Sequence, residues 1–271
     1  MKEQITSSIK LLCLDIDGTL LDTSHQLPPE NRAAVQYAAK QGVTVCLLSA
    51  RPPQAIFPIQ QALGVPGPVA SFGGALIQDG ETRIFDRRLP TDDARTVIGL
   101  AQQHGISLSF YRDTAWLVEQ EDEWSRAEGE ITGLHPDVTP LVAALADGAP
   151  HKLLCMGAAD RIDGFCQLLQ QQGLDAALLR SKDEYLEILP QKADKADALR
   201  TLCRYRQLAP EQTMAMGDHD VDCTMLRAAG IGVAMGNSSD AARQAADWMA
   251  PDNDHAGVAA AIHHWIGEET E

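Results

Sequence analysis

Ile9-Lys10-Leu11-Leu12-Cys13-Leu14-Asp15-Ile16-Asp17-Gly18-Thr19 is an apolar run, broken only by Lys10, that stops at two carboxylates one residue apart. A continuous apolar stretch of this length reads as a strand buried on both faces, the kind found in a parallel sheet. Gly18 then marks a backbone turn, so both carboxylates emerge beyond the strand's carboxyl end, where ligands bind in open α/β sheets.

Working outward, Pro28-Pro29 introduce a helix through about Lys40, and the next strand, Val43 to Leu48, stops at Ser49. A helix from Pro53 to Leu63 follows, then an apolar segment from Pro68 to Phe72 that ends at Gly73-Gly74. The same rhythm returns near the other end of the chain. It runs as a helix from about Lys192 to Arg206, a strand Thr213 to Met216, a helix Val221 to Ala229, a strand Ile231 to Met235, a helix Asp240 to Ala246 and a last helix near 255 to 266. Between them the pattern changes to a helix at 92 to 104, hairpin-like strands at 106 to 112 and 115 to 119, a strand at 152 to 156, a helix at 160 to 172 and a hairpin around Ser181-Lys182-Asp183. The expected architecture is therefore α/β: a Rossmann-like doubly wound parallel sheet core, residues 1–86 and 187–271, carrying an inserted α+β domain, residues 87–186.

The chain has 271 residues, 45% of them hydrophobic and 22% charged, which suits a normally packed globular protein. Lys and Arg number 22 against 38 Asp and Glu, a formal charge of −16 with no basic cluster to offset it, which argues against nucleic acid as a partner. The same field repels a phosphorylated substrate, so a phosphate site in this chain needs a metal or a local Lys or Arg to invert the sign. The six cysteines are scattered without a C-x-x-C pair, and the expected setting is a reducing cytoplasm. No signal peptide or membrane span is read, and the oligomeric state is left as monomer or homodimer.

The predicted strand ends, Asp15, Ser49, Gly73 and Gly217-Asp218, bring acids and a hydroxyl together from distant positions. Gly217-Asp218-His219-Asp220-Val221-Asp222 supplies three acids within five residues, a natural site for a hard divalent cation. An EF-hand loop is excluded, because Cys223 stands where that loop needs Gly and Ala229 where it needs Glu. Ser49-Ala50-Arg51 offers a hydroxyl, backbone N–H groups and a cation to phosphoryl oxygens. Lys195, by contrast, is not singled out by pattern alone.

These segments, in this order and with this insertion, resemble the haloacid dehalogenase-like phosphohydrolases, in particular the Cof-type subgroup with a class IIB α+β cap after the third core strand. The carrying motifs are the strand with Asp15-Ile16-Asp17-Gly18-Thr19, Glu187-Ile188-Leu189-Pro190 before Lys195, Gly217-Asp218 leading into Asp222, and Val233-Ala234-Met235-Gly236-Asn237. The resemblance implies a Mg²⁺-dependent phosphatase acting on a small phosphorylated metabolite. Asp15 would be the nucleophile and Asp17 the general acid and base; Ser49 and Lys195 would bind the phosphoryl oxygens, and Asp15, Asp17 (through its backbone carbonyl) and Asp218 would hold the metal. Asp222, Arg51 and Asp220 are supporting candidates.

The chain departs from the family pattern in three places. Val221 stands where G-D-x-x-N-D has Asn, Ser49-Ala50-Arg51 replaces Thr-Gly-Arg, and Gly73-Gly74 replaces Asn-Gly. Valine cannot hydrogen-bond, so the amide's work is lost or passes to a neighbour such as Asp220. The alternatives carried forward are a non-catalytic phosphometabolite-binding relative and a phosphomutase. Arg112, Trp116, Trp124 and Lys182 are the insert's candidates for substrate contact.

Overall fold

The computed structural model describes residues 9–267. Its centre is β1, Leu11–Leu14, every residue of which is buried. The chain continues through α1, Pro29–Lys40, β2, Thr44–Leu48, α2, Pro53–Leu63, and β3, Val69–Ser71. A hairpin of β4, Leu76–Asp79, and β5, Thr82–Asp86, then extends the sheet. The insert carries α3, Thr91–His104, β6, Ser107–Arg112, β7, Ala115–Val118, α4, Glu123–Thr132, β8, Asp137–Val138, and α5, Leu141–Ala144. It continues with β9, Lys152–Met156, α6, Ala159–Gln170, β10, Ala176–Lys182, and β11, Tyr185–Pro190. The return is made of α7, Lys195–Arg206, β12, Thr213–Gly217, α8, Cys223–Ala228, β13, Ile231–Ala234, α9, Asp240–Ala245, β14, Trp248–Met249, and α10, Gly257–Ile266.

The strands of the first and last parts form one eight-stranded sheet in the order β14-β13-β12-β1-β2-β3-β4-β5. The pairs from β14 to β3 are parallel, and β4 runs antiparallel to β3. Alternation along β1 explains why helices cover both faces. Leu12 and Leu14 pack with Ala34, Val35 and Ala38 of α1 and Val258, Ala261 and Ile262 of α10. Leu11 and Cys13 pack on the opposite side with Ala198, Leu199 and Leu202 of α7 and Met225 and Leu226 of α8. A strand with two buried faces has to be apolar throughout, which is what its sequence shows.

The second unit is built on a six-stranded sheet, β10-β11-β9-β6-β7-β8, antiparallel except for the β7–β8 pair. Leu108 and Phe110 of β6, Leu153 and Cys155 of β9, and Leu186 and Ile188 of β11 pack with Val97, Ile98 and Ala101 of α3 and Ile162, Phe165 and Leu169 of α6. The other face is polar in part, where Ser109 accepts a 2.8 Å hydrogen bond from Trp116 Nε1 and Lys152 Nζ lies 3.5 Å from Glu187 Oε2. The mixed α/β class, with a parallel sheet core and an inserted α+β cap, agrees with the expectation.

Several boundaries differ. The expected return at 187 cuts through β11, which pairs with β9 and β10, and the compact unit carrying the insert extends from Asp86 to Ala193 and takes in Arg51–Ala55. The apolar run of Tyr185–Pro190 looks like a core strand in sequence, and only its partners place it elsewhere. α7 starts at Lys195 rather than near 192, because Lys192 adopts a left-handed φ of 61° and the Asp194 side chain caps the helix through Asp197 N at 2.7 Å.

Deleting a buried leucine side chain from β1 removes transfer energy and leaves a cavity, so Leu12→Ala is expected to lower stability by about 3 kcal/mol. Urea unfolding followed by circular dichroism measures that loss.

Candidate active site

The turn after β1 is shaped by what surrounds it. Gly18 has a left-handed φ of 75°, and a Cβ there would lie 2.4 Å from Asp218 Oδ2. Only glycine permits that approach. Thr19, buried beside it, donates its hydroxyl to Asp218 Oδ1 at 3.0 Å. The turn is also held from outside, because Asn237 Nδ2 donates to Gly18 O at 2.9 Å while Asn237 Oδ1 accepts from Asn253 N at 3.1 Å.

Asp15 follows the last residue of β1, and its N–H donates to Met216 O of β12 at 3.1 Å. Its carboxylate, on a residue only 7% exposed, accepts a 2.5 Å hydrogen bond from Lys195 Nζ. The same ammonium donates to Asp222 Oδ1 at 2.5 Å. Asp222 Oδ2 accepts from the N–H groups of Asp218 and His219 at 3.0 and 2.9 Å, so one carboxylate fixes the loop after β12 and the lysine together. A Cβ on Gly217 would lie 2.5 Å from Asp222 Cβ, which explains the glycine at that strand end.

Charge decides what this cluster can hold. Oxygen atoms of Asp15, Asp218 and Asp222 all lie within 4.8 Å of one another, with Lys195 as their ammonium partner. Burial drives the Asp15 carboxyl well above its ordinary range, and Asp222 and Asp218 push the same way while Lys195 opposes them. Burial likewise raises Asp218, with Asp222 adding to it. For Lys195 burial alone would favour the neutral amine, but Asp15 and Asp222 outweigh it and hold the ammonium charged. Three carboxyl groups share one ammonium, so Asp15 and Asp218 resist ionisation until a further positive charge is present. A cluster of hard oxygen donors in that condition fits a divalent cation such as Mg²⁺.

The other expected residues have partners of their own. The Asp17 carboxylate stays outside the three-oxygen cluster, is 43% exposed, and lies 3.5 Å from His25 Nδ1. Ser49 is buried at the end of β2, its N–H donating to Ala70 O at 3.0 Å and its carbonyl accepting from Gly73 N at 2.9 Å, which joins the ends of β2 and β3. Arg51 belongs to the other compact unit. Asp220 is exposed and accepts from Ser239 Oγ at 2.6 Å, outside the carboxylate cluster, and Val221 beside it is 44% exposed. Within the insert, Arg112 donates to Ala144 O and Gly148 O at 2.6 and 2.9 Å and Trp116 is buried, so both have structural work. Trp124 is half-buried, and Lys182 Nζ lies 4.8 Å from the centre of the Tyr185 ring.

Residues 12–262 match the haloacid dehalogenase-like hydrolase family. The chain belongs to that family. Among its relatives is the 5-amino-6-(5-phospho-D-ribitylamino)uracil phosphatase of Bacillus subtilis, 27% identical over 262 residues, covering 95% of this chain and 96% of the relative. An HMP-PP phosphatase of Yersinia pestis is 26% identical over 260 residues, covering 95% of both. The crystal structure of a haloacid dehalogenase-like hydrolase from Bacteroides thetaiotaomicron superposes with a TM-score of 0.87 at 28% identity, covering 94% of this chain and 99% of that one. As a member of the family this protein is a hydrolase. No helix among the described residues is long and apolar enough to cross a membrane.

Replacing Lys195 by Met leaves buried carboxylates without their ammonium, so the metal-free variant is expected to lose about 3 kcal/mol of stability. Added Mg²⁺ should raise its melting temperature by more than it raises that of the unsubstituted protein, as differential scanning fluorimetry measures. Gly18→Ala should abolish that metal-dependent shift, because its methyl group takes the space of the Asp218 carboxylate.

Proposed function

We propose that the protein is a Mg²⁺-dependent phosphatase that hydrolyses small phosphomonoesters through an aspartyl phosphate on Asp15. The observation that carries this reading is the buried Asp15 carboxylate at the end of the central strand, with Lys195 2.5 Å away and the oxygens of Asp218 and Asp222 alongside. Membership of a hydrolase family and relatives named as phosphatases support it.

The metal would be held by the Asp15 and Asp218 carboxylates and the Asp17 backbone carbonyl, and when bound it supplies positive charge that relieves repulsion between Asp15 and a phosphate dianion. An Asp15 oxygen attacks phosphorus as the bond to the ester oxygen breaks. The Asp17 carboxyl gives its proton to that leaving oxygen, which departs as an alcohol. Asp17, now ionised, takes a proton from water. The resulting hydroxide attacks phosphorus, the Asp15–phosphorus bond breaks, and phosphate leaves with Asp15 restored.

Lys195 binds a phosphoryl oxygen and stabilises charge on it, and the Ser49 hydroxyl serves a second oxygen. Asp222 acts through others, holding the lysine with one oxygen and the Asp218 loop with the other. Arg51 and Asp220 stay as peripheral candidates.

The substrate class is a small phosphorylated metabolite, and the relatives' names support that breadth. Val221 bears on selectivity more than on chemistry, since it presents an exposed methyl surface where the family pattern has an amide, while Asp218 and Asp222 on either side of it stay in the carboxylate cluster.

With p-nitrophenyl phosphate and Mg²⁺ the protein is expected to release phosphate to water, and EDTA should stop the release. Asp15→Asn should abolish turnover. Asp17→Asn should lower kcat by about 10²-fold or more while leaving metal affinity largely intact. Transfer of phosphate only to a second hydroxyl of a sugar phosphate, without release, would instead make the protein a mutase. Absence of both reactions with Mg²⁺, Mn²⁺ and Co²⁺ would refute the phosphatase.

A further inference from the structure

The loop that follows the turn after β1 is built to hold a histidine in an unfavourable backbone conformation. His25 has φ of 56°, in the left-handed region that an L side chain rarely adopts, although it is not a glycine. A tight set of bonds around Asp22 keeps it there. Asp22 Oδ1 accepts from Ser24 N at 2.9 Å and Gln26 N at 2.8 Å, Asp22 N donates to Gln26 O at 2.9 Å, and His25 N donates to Asp22 O at 2.9 Å. The loop is then fastened to the far end of the chain. Asp254 accepts from Thr23 N at 2.9 Å and from the Thr23 hydroxyl at 3.0 Å. That contact holds the Asp254 carboxyl below its ordinary range, chiefly through the Thr23 N–H.

An exposed histidine has no packing reason to be held this way, for its side chain is 66% exposed. Its Nδ1 instead lies 3.5 Å from Asp17 Oδ1. This is a polar contact longer than a full hydrogen bond, of the kind that tightens when a reacting group is bound. Strained conformations that surrounding bonds over-determine concentrate at working sites. We propose that His25 is a positioning residue that orients the Asp17 carboxyl towards the oxygen leaving phosphorus, with the Asp22 loop and its Thr23–Asp254 fastening as the brace. The inference rests on the proposed phosphatase reaction, in which Asp17 carries the proton.

Leaving-group dependence tests it, because an ester whose alcohol is already a stable anion needs little proton donation whereas a basic alkoxide needs it fully. A series of aryl phosphates running from p-nitrophenyl to phenyl phosphate is compared in wild type, His25→Ala and His25→Asn by kcat/KM, which reports the step that expels the alcohol. His25→Ala is expected to change p-nitrophenyl phosphate little and to lower phenyl phosphate by about tenfold, a fraction of the full general-acid effect. The dependence on leaving-group pKa therefore becomes steeper. His25→Asn, which keeps a polar group near the Nδ1 position and tolerates left-handed backbone, should recover most of the loss. Thr23→Val, which removes the hydroxyl bond to Asp254, should steepen the dependence in the same sense.

Thermal unfolding should show His25→Ala and His25→Asn both folded at the assay temperature, since the side chain is exposed. A uniform loss across the series, or none, in an active protein overturns the positioning role. An inactive wild type overturns the phosphatase reading itself, so the two failures are distinguishable.

Discussion

The site depends on one ammonium shared between two carboxylates. Lys195 lies 2.5 Å from both Asp15 and Asp222, at the meeting of three segments that are far apart in the chain. Each carboxylate alone would be costly to bury as an anion, and Lys195 alone would be costly to bury as a cation. Together they are tolerated, and the acid oxygens gathered around the lysine could hold a further cation. Stability and chemistry thus place opposite demands on the same atoms, because a fully neutralised cluster would bind no metal.

Around that pair the backbone does most of the aiming. Asp222 uses one oxygen for the lysine and the other for two N–H groups of its own loop, so the loop cannot move without the lysine. Gly18 and Gly217 matter for the side chains they lack, each leaving room for an aspartate carboxylate. Asn237 ties the turn after β1 to the loop at Asn253, and Asn253 Nδ2 donates to Leu21 O at 3.0 Å, so the turn is gripped on both flanks. Rigid support of this sort would keep Asp15, the proposed nucleophile, within the small tolerance that reaction geometry requires.

The sheet was legible in the sequence because strands buried on both faces must be apolar almost throughout, as Leu11–Leu14 and Met214–Met216 are. The ends of those strands were legible for the same reason, since the first polar residue after each run marks where the crevice begins. What the sequence concealed depends on partners. β11 has the apolar character of a core strand and is assigned by its pairing with β9 and β10. α4 has glycine at 129 and few apolar residues, and is recognised only by its capping box, in which Asp122 accepts from Ser125 N at 2.8 Å. Thr19 and Asn237 belong to motifs visible in the sequence, but their work lies in bonds to residues 199 and 219 positions away. Lys195 entered the site through resemblance, as one lysine near a helix start looks like any other until its carboxylate partners are located.

The place of β1 between β2 and β12 has a consequence for the making of the protein. One edge of β1 meets residues Thr44–Leu47, but the other meets Thr213–Met216. At roughly 5 to 20 residues per second, a ribosome needs on the order of 10 to 40 s to supply the second partner. Throughout that interval an apolar strand has an unpaired edge, the situation in which strands add to other chains. The nascent protein is therefore most exposed to misassembly at its own centre, and Asp15, at the end of that strand, waits for a lysine made 180 residues later.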